Sequence, residues 1–143
     1  MASRETVLNQ LLTVLATTGT FLTVGRRNLG SNKIGPAESP ALFLLGDSED
    51  HSGEINQPRR LVLTQKAVYL NDVGASQTVI PETAINNALD ALDALLAPDN
   101  PMLGRCTLGG LVYSARIKGR TIKAPGDQTG KSLAIVPLEI ILP

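Results

Sequence analysis

Residues 59–70 are RRLVLTQKAVYL. Laid out as an extended chain, Leu61, Leu63, Ala67 and Tyr69 fall on one face, and Val62, Thr64, Lys66 and Val68 on the other. Successive side chains of a strand point to opposite sides. The stretch therefore predicts a long strand with one apolar face and one mixed face. Upstream, residues 41–45 (ALFLL) form an unbroken apolar run between Pro40 and Gly46, the pattern of a strand covered on both faces. Downstream, residues 111–118 (LVYSARIK) and 133–142 (LAIVPLEIIL) predict two more strands. Pro137 has no N–H to give a ladder, so it points to an edge position or a bulge in the last of them. Residues 20–27 (TFLTVGRR) complete the set, with Leu22 and Val24 on one face.

Two segments carry helical spacing instead. In residues 3–17, Val7, Leu8, Leu11, Leu12, Val14 and Leu15 make one wide apolar face, with Ser3 as N-cap and Glu5 in the first turn. Gly19 is placed to stop this helix. In residues 82–97, Ile85, Ala88, Leu89, Leu92, Leu95 and Leu96 make the buried stripe, and Asn86, Asp90 and Asp93 lie outside it. Pro81 suits the start of that helix, and Pro98 and Pro101 end it. The order is helix, three strands, helix, two strands. It predicts a single α+β domain over 1–143, a mainly antiparallel sheet of about five strands with two helices packed on one face. Residues 28–40, 46–58 and 119–132 are turn-rich and predict long loops.

Composition narrows the function classes. The chain has 143 residues, enough for one domain with a real core. Lys plus Arg is 13 and Asp plus Glu is 13, so bulk charge drives binding to neither nucleic acid nor a membrane surface. It also does not oppose self-association. Aromatics are only 3%, which disfavours a base-stacking reader of single strands. A single Cys, Cys106, and a single His, His51, exclude an intramolecular disulfide and a multi-histidine or Cys-rich metal site. No apolar run approaches the roughly 18 residues of a membrane span. Residues 1–20 have no basic leader region and contain Glu5, so no secretory signal is expected. These features predict a soluble protein folded in a reducing cytoplasm.

Catalytic patterns fail one by one. Gly126-Asp127-Gln128-Thr129-Gly130-Lys131-Ser132 approaches a phosphate-binding loop, but three residues separate the first Gly from the Gly-Lys pair. The pattern needs four, leaving a strand and opening a helix. Asp47, Glu49, Asp50, His51 and Glu54 form an acidic run without the spacing of a calcium loop, so they are expected to be solvated. Asp90 and Asp93 share the wet side of a helix. Cys106 is expected to be inert. Neither a cofactor nor a metal is expected.

Taken in sequence, several segments resemble one another's counterparts in a known family. VLNQLLTVL leads into TFLTVGRR, followed by the Pro-Ala-Leu-Phe strand (Pro40 to Leu45) and the strand from Arg60 to Tyr69. An Ala- and Leu-rich helix closes on Ala-Pro-Asp (Ala97 to Asp99), and Leu108-Gly109-Gly110-Leu111-Val112-Tyr113 opens a strand. The Gly126-Asp127 loop then precedes Ala134-Ile135-Val136-Pro137-Leu138-Glu139-Ile140. This order resembles the tail terminator (tail completion) proteins of long-tailed bacteriophages, over about residues 5–142. After the PALF-type strand the chain departs from the pattern, with His51 where an aromatic would stand.

The resemblance implies a virion protein, assembled in the host cytoplasm, that forms a hexameric ring. The ring caps the tail tube, stops its polymerisation and joins the head-completion or neck proteins, while DNA passes through its lumen without specific binding. No active site is implied. Ring contacts need two different patches, and the long apolar C-terminal strand, residues 133–142, is either a candidate edge to be covered by a neighbour or an ordinary core strand. Arg26, Arg27, Arg59 and Arg60 are candidates for salt bridges between subunits. Asp47, Glu49, Asp50 and Glu54 are candidates for a lumen lining that repels phosphate. Gly126, Asp127 and Lys131 belong to a loop that would meet the tube or neck. The competing readings are another head–tail connector and a small ligand-binding domain using residues 124–132.

Overall fold

A computed structural model of the protein describes residues 3–17, 21–27, 40–57, 60–72, 80–99, 102, 104–125 and 131–142. Helix α1 spans Arg4–Thr17. It starts where expected, because the Ser3 hydroxyl accepts the Thr6 N–H at 3.1 Å and the Ser3 carbonyl accepts that of Val7. Such a cap satisfies N–H groups that the first helical turn leaves without partners. Val7, Leu8, Leu11 and Leu15 are buried and make the inward stripe. Helix α2 spans Pro81–Leu95 and has no side-chain cap at Ile80. Ile85, Ala88 and Leu92 are its buried residues, while Asn86, Asp90 and Asp93 are exposed as their spacing predicts.

Among the described residues six strands form one mixed, mostly antiparallel sheet: β1 (Thr23–Gly25), β2 (Ala41–Ser52), β3 (Arg60–Asp72), β4 (Ser114–Ile117), β5 (Ile122–Ala124) and β6 (Lys131–Ile141). Their order is β1-β2-β3-β6-β4, with β5 also on β6. Only β1 is parallel to its neighbour, with Thr23 opposite Ala41. The long strands pair antiparallel, Ala41 opposite Leu70 and Leu70 opposite Leu133. This is the α+β architecture read from the sequence.

Both helices pack on one face. The main core joins their buried stripes to Leu42 and Leu44, to Leu63, Ala67 and Tyr69, and to Ala134, Val136, Leu138 and Ile140. The alternation along β3 is the one its sequence dictates. The opposite face carries a smaller buried cluster of Ala41, Phe43, Val68 and Leu70, flanked by Leu45, Leu133 and Ile135. Thus the ALFLL run is covered on both sides, as its unbroken apolarity predicts.

Several boundaries differ from expectation. The segment 20–27 contributes only three strand residues, Thr23–Gly25. The segment 46–58 is not a long loop: β2 continues to Ser52, which pairs with Arg60. Its residues are polar and exposed, but β3 is 13 residues long and offers a backbone ladder along its whole length. A partner strand therefore overrides weak local strand preference. The segment 111–118 begins its strand only at Ser114. Before it, Leu108, Gly109 and Gly110 all take positive φ, of 50°, 74° and 89°, which breaks an extended chain. Strand β5 carries no apolar alternation; all three of its residues are exposed.

The C-terminal strand β6 is not an edge. It lies between β3 on one side and β4 and β5 on the other. Pro137 fits there because the neighbouring strand is broken opposite it: β4 pairs with residues 138–141 and β5 with 133–135. Lys118 donates its N–H to the Pro137 carbonyl at 3.2 Å, so that side of Pro137 faces the break, where no N–H is required. Gly119 approaches so closely that a Cβ there would lie 3.1 Å from the proline ring.

Candidate functional site

Where β1 stops pairing at Phe43, β2 runs on as the outer strand of a hairpin arm. From Gly46 to Ser52 every residue is exposed. Among the described residues this half of β2 has no strand on its outer side. A register shift between Gly46 and Ser48 marks a bulge at Asp47, a common device at sheet edges. The arm is acidic and partly tied down. Asp47 lies 3.5 Å from Lys66. Glu49 accepts a hydrogen bond from Arg4 Nε at 2.6 Å, which holds its carboxyl below the usual range. His51 stands 3.7 Å from Glu49 and forms an ion pair only when protonated. Asp50 and Glu54 have no ion pair among the described residues.

The arm ends in a turn where Gln57 donates its N–H to the Glu54 carbonyl at 3.1 Å. Asn56 takes a φ of 71°, which Asn tolerates better than most residues. The turn lifts Ile55 into solvent, 92% exposed.

The opposite side of the sheet is basic. Arg105 lies over the Tyr113 ring at 4.3 Å and donates Nε–H to the Tyr113 carbonyl at 2.7 Å. Arg60 approaches the same ring at 5.6 Å. Arg116 and Lys118 reach Glu139 at 2.9 and 3.1 Å. Partial burial pushes the Glu139 carboxyl up, but the hydrogen bonds from Lys118 and Arg116 outweigh it, and the net direction is down. Lys123 binds Asn86 at 2.8 Å and lies 3.8 Å from Glu82. Arg120 is exposed and has no ion pair among the described residues.

Beneath this edge is a cleft of about 340 Å³. Leu96, Pro98, Ala115 and Ile141 line it, with Arg105, Tyr113 and Arg116 as polar walls. Asp99 follows Pro98 of this lining in the chain. Its carboxylate accepts hydrogen bonds from the Thr107 hydroxyl at 2.7 Å and the Gly109 N–H at 3.0 Å. Those donors hold the Asp99 carboxyl below its ordinary value. They also fix the left-handed run at Leu108–Gly110.

The candidates named from sequence fall in different places. Asp47, Glu49 and Asp50 lie along a strand arm rather than a loop, and Glu54 follows just beyond its end. Arg26 is engaged within the chain: it binds Glu5 of α1 at 2.6 and 3.1 Å, lowering the Glu5 carboxyl. Arg27 is exposed beyond β1, and Lys131 is exposed at the start of β6. Arg60 leaves the acidic arm to lean on Tyr113. Arg59, Gly126 and Asp127 lie outside the described residues. Arg105, Tyr113, Arg116 and Asp99 were not singled out, because only sheet register and the 104–113 turn bring them together.

Among the described residues no group of three His, Cys, Asp or Glu side chains is placed to hold a metal ion. No helix among them is long and apolar enough to cross a membrane. Cys106 is buried behind β4. Compared with protein-family models and with curated proteins, the chain matches none.

Proposed function

We propose that this protein is a structural subunit of the tail-terminator type. Copies associate into a hexameric ring that closes the end of a phage tail tube, stops its polymerisation and presents a joint to head-completion proteins. DNA passes through the lumen without specific contacts, and the protein resides in the virion after assembly in the host cytoplasm. The observation that carries this reading is the chemical difference between the two sides of the sheet. One is an exposed acidic arm with no strand on its outer side among the described residues; the other is a basic, aromatic edge over a cleft. Closed rings are built from contacts between two unlike patches. The tube, the neck partner and the hexamer come from the family resemblance in the order of segments.

Ligand binding through residues 124–132 finds less support. The segment joins β5 to β6, which pair antiparallel, whereas a phosphate-binding loop opens a helix whose N–H groups face the anion.

The test is to add purified protein to growing tail tubes and image them. Tubes of arrested length, each with a ring at one end, are the expected result. Tubes that keep growing with undecorated ends overturn the reading. Rings found on heads instead assign the protein to the connector.

A further inference from the structure

We propose that the tip of the acidic arm of one copy seats in the cleft beneath Arg105 and Tyr113 of the next copy. Ile55 would fill the apolar floor, and Glu54 would meet the Arg105 guanidinium. The proposal deepens the ring reading and rests on it for the biological setting, but not for the contact itself.

The two surfaces match in chemistry. The tip offers an almost fully exposed aliphatic side chain beside a carboxylate with no ion pair among the described residues. The cleft offers aliphatic walls at Leu96 and Ile141 beneath a guanidinium stacked on an exposed Tyr. Arg105 uses Nε on the Tyr113 carbonyl, which leaves its terminal nitrogens as donors in a fixed plane. A planar, preoriented guanidinium is suited to a carboxylate. Aromatic and Arg anchors over a desolvated pocket are also the usual centre of a protein interface.

A copy does not fill its own cleft. Across the sheet, Asp50 faces Val62, Val62 faces Ile141, and Ile141 faces Ser114. The arm and β4 are therefore three strand spacings apart, about 14 Å. Ile55 remains exposed in its own chain. The occupant is a second copy, and a contact between unlike patches repeats from copy to copy until it closes.

Two variants test this in solution. The tip variant is Glu54→Lys with Ile55→Asp, both in an exposed turn. The cleft variant is Arg105→Ala, with circular dichroism and thermal melting to check its fold. Light scattering and sedimentation should show wild type associating and each variant weakened by about tenfold or more, a difference of at least about 1.4 kcal/mol. Mixed together, they should form a one-to-one dimer and nothing larger, because one retains its cleft and the other its tip. A tip variant that assembles like wild type overturns the proposal, whatever the cleft variant does. So does wild type that stays monomeric up to about 1 mM. The tube assay separates the two ideas: a tip variant that still caps tubes ends this contact but not the ring reading. A wild type that assembles through its tip but never caps tubes ends the ring reading but not the contact.

Discussion

Strand β2 is two structures in one element. Its first four residues, Ala41 to Leu44, are each no more than 1% exposed, with helices over one face and a second cluster over the other. Its last seven, Gly46 to Ser52, are all exposed. Both halves keep the same antiparallel ladder to β3, with only the bulge at Asp47 between them. Backbone pairing is therefore indifferent to the change, and side-chain burial is not. The inner half contributes to folding through apolar area removed from water. The outer half is exposed along its whole length and adds little apolar burial. The Arg4–Glu49 pair ties the start of α1 to this arm, yet both side chains are well exposed and such pairs add little stability.

The sharpest way to break the comparison is in the inner half. Phe43→Ala should cost about 3–5 kcal/mol, because it opens a cavity in a cluster of few residues. Urea unfolding measures it; a cost near zero would mean that the second face is not a packed core. Next comes the break opposite Pro137. Gly119→Ala places a Cβ against the proline ring at a φ of 119°, and should cost about 1–3 kcal/mol. An unchanged melting temperature would show that β4 and β5 are loosely held.

Glu139 gives a smaller effect with a defined pH dependence. Its folded-state pKa is lowered below the ordinary 4.5 by Lys118 and Arg116. A lowered carboxylate pKa adds stability above the unfolded value and loses it as pH falls through the folded one. Wild type should therefore exceed Glu139→Gln in stability near neutral pH, and the gap should close as pH falls below 4.5. A gap that persists in acid would assign the loss to packing. The smallest effect lies in the outer half. Ser48→Ala should change stability by no more than about 0.5 kcal/mol, while leaving the arm and its assembly contacts in place. A large loss there would make the arm part of the folding unit.

How legible each region was follows from the same division. The stripes of α1 and α2, the Ser3 cap and the faces of β3 were readable because apolar spacing reports burial directly. The ALFLL run announced a doubly covered strand for the same reason. The arm reads as a loop because GDSEDHS has neither alternation nor strand preference. Its extended shape is imposed by β3, far away in sequence. The interior position of β6 was hidden too, since Pro137 argues for an edge unless the neighbouring strand happens to be broken opposite it. The acidic half of the candidate surface was visible as a charge run. Of the basic half only Arg60 was visible, because Arg105, Tyr113 and Arg116 join it only through sheet register and the 104–113 turn.

By itself the sequence determined the α+β class, both helices, the main core and the absence of a bulk charge bias, all of which depend on local periodicity and composition. Only the tertiary structure decided that the acidic run is a strand arm, that β6 is central, and that an arginine–tyrosine cleft lies on the other side of the sheet. Those depend on which strands share backbone hydrogen bonds, and no local pattern encodes that pairing.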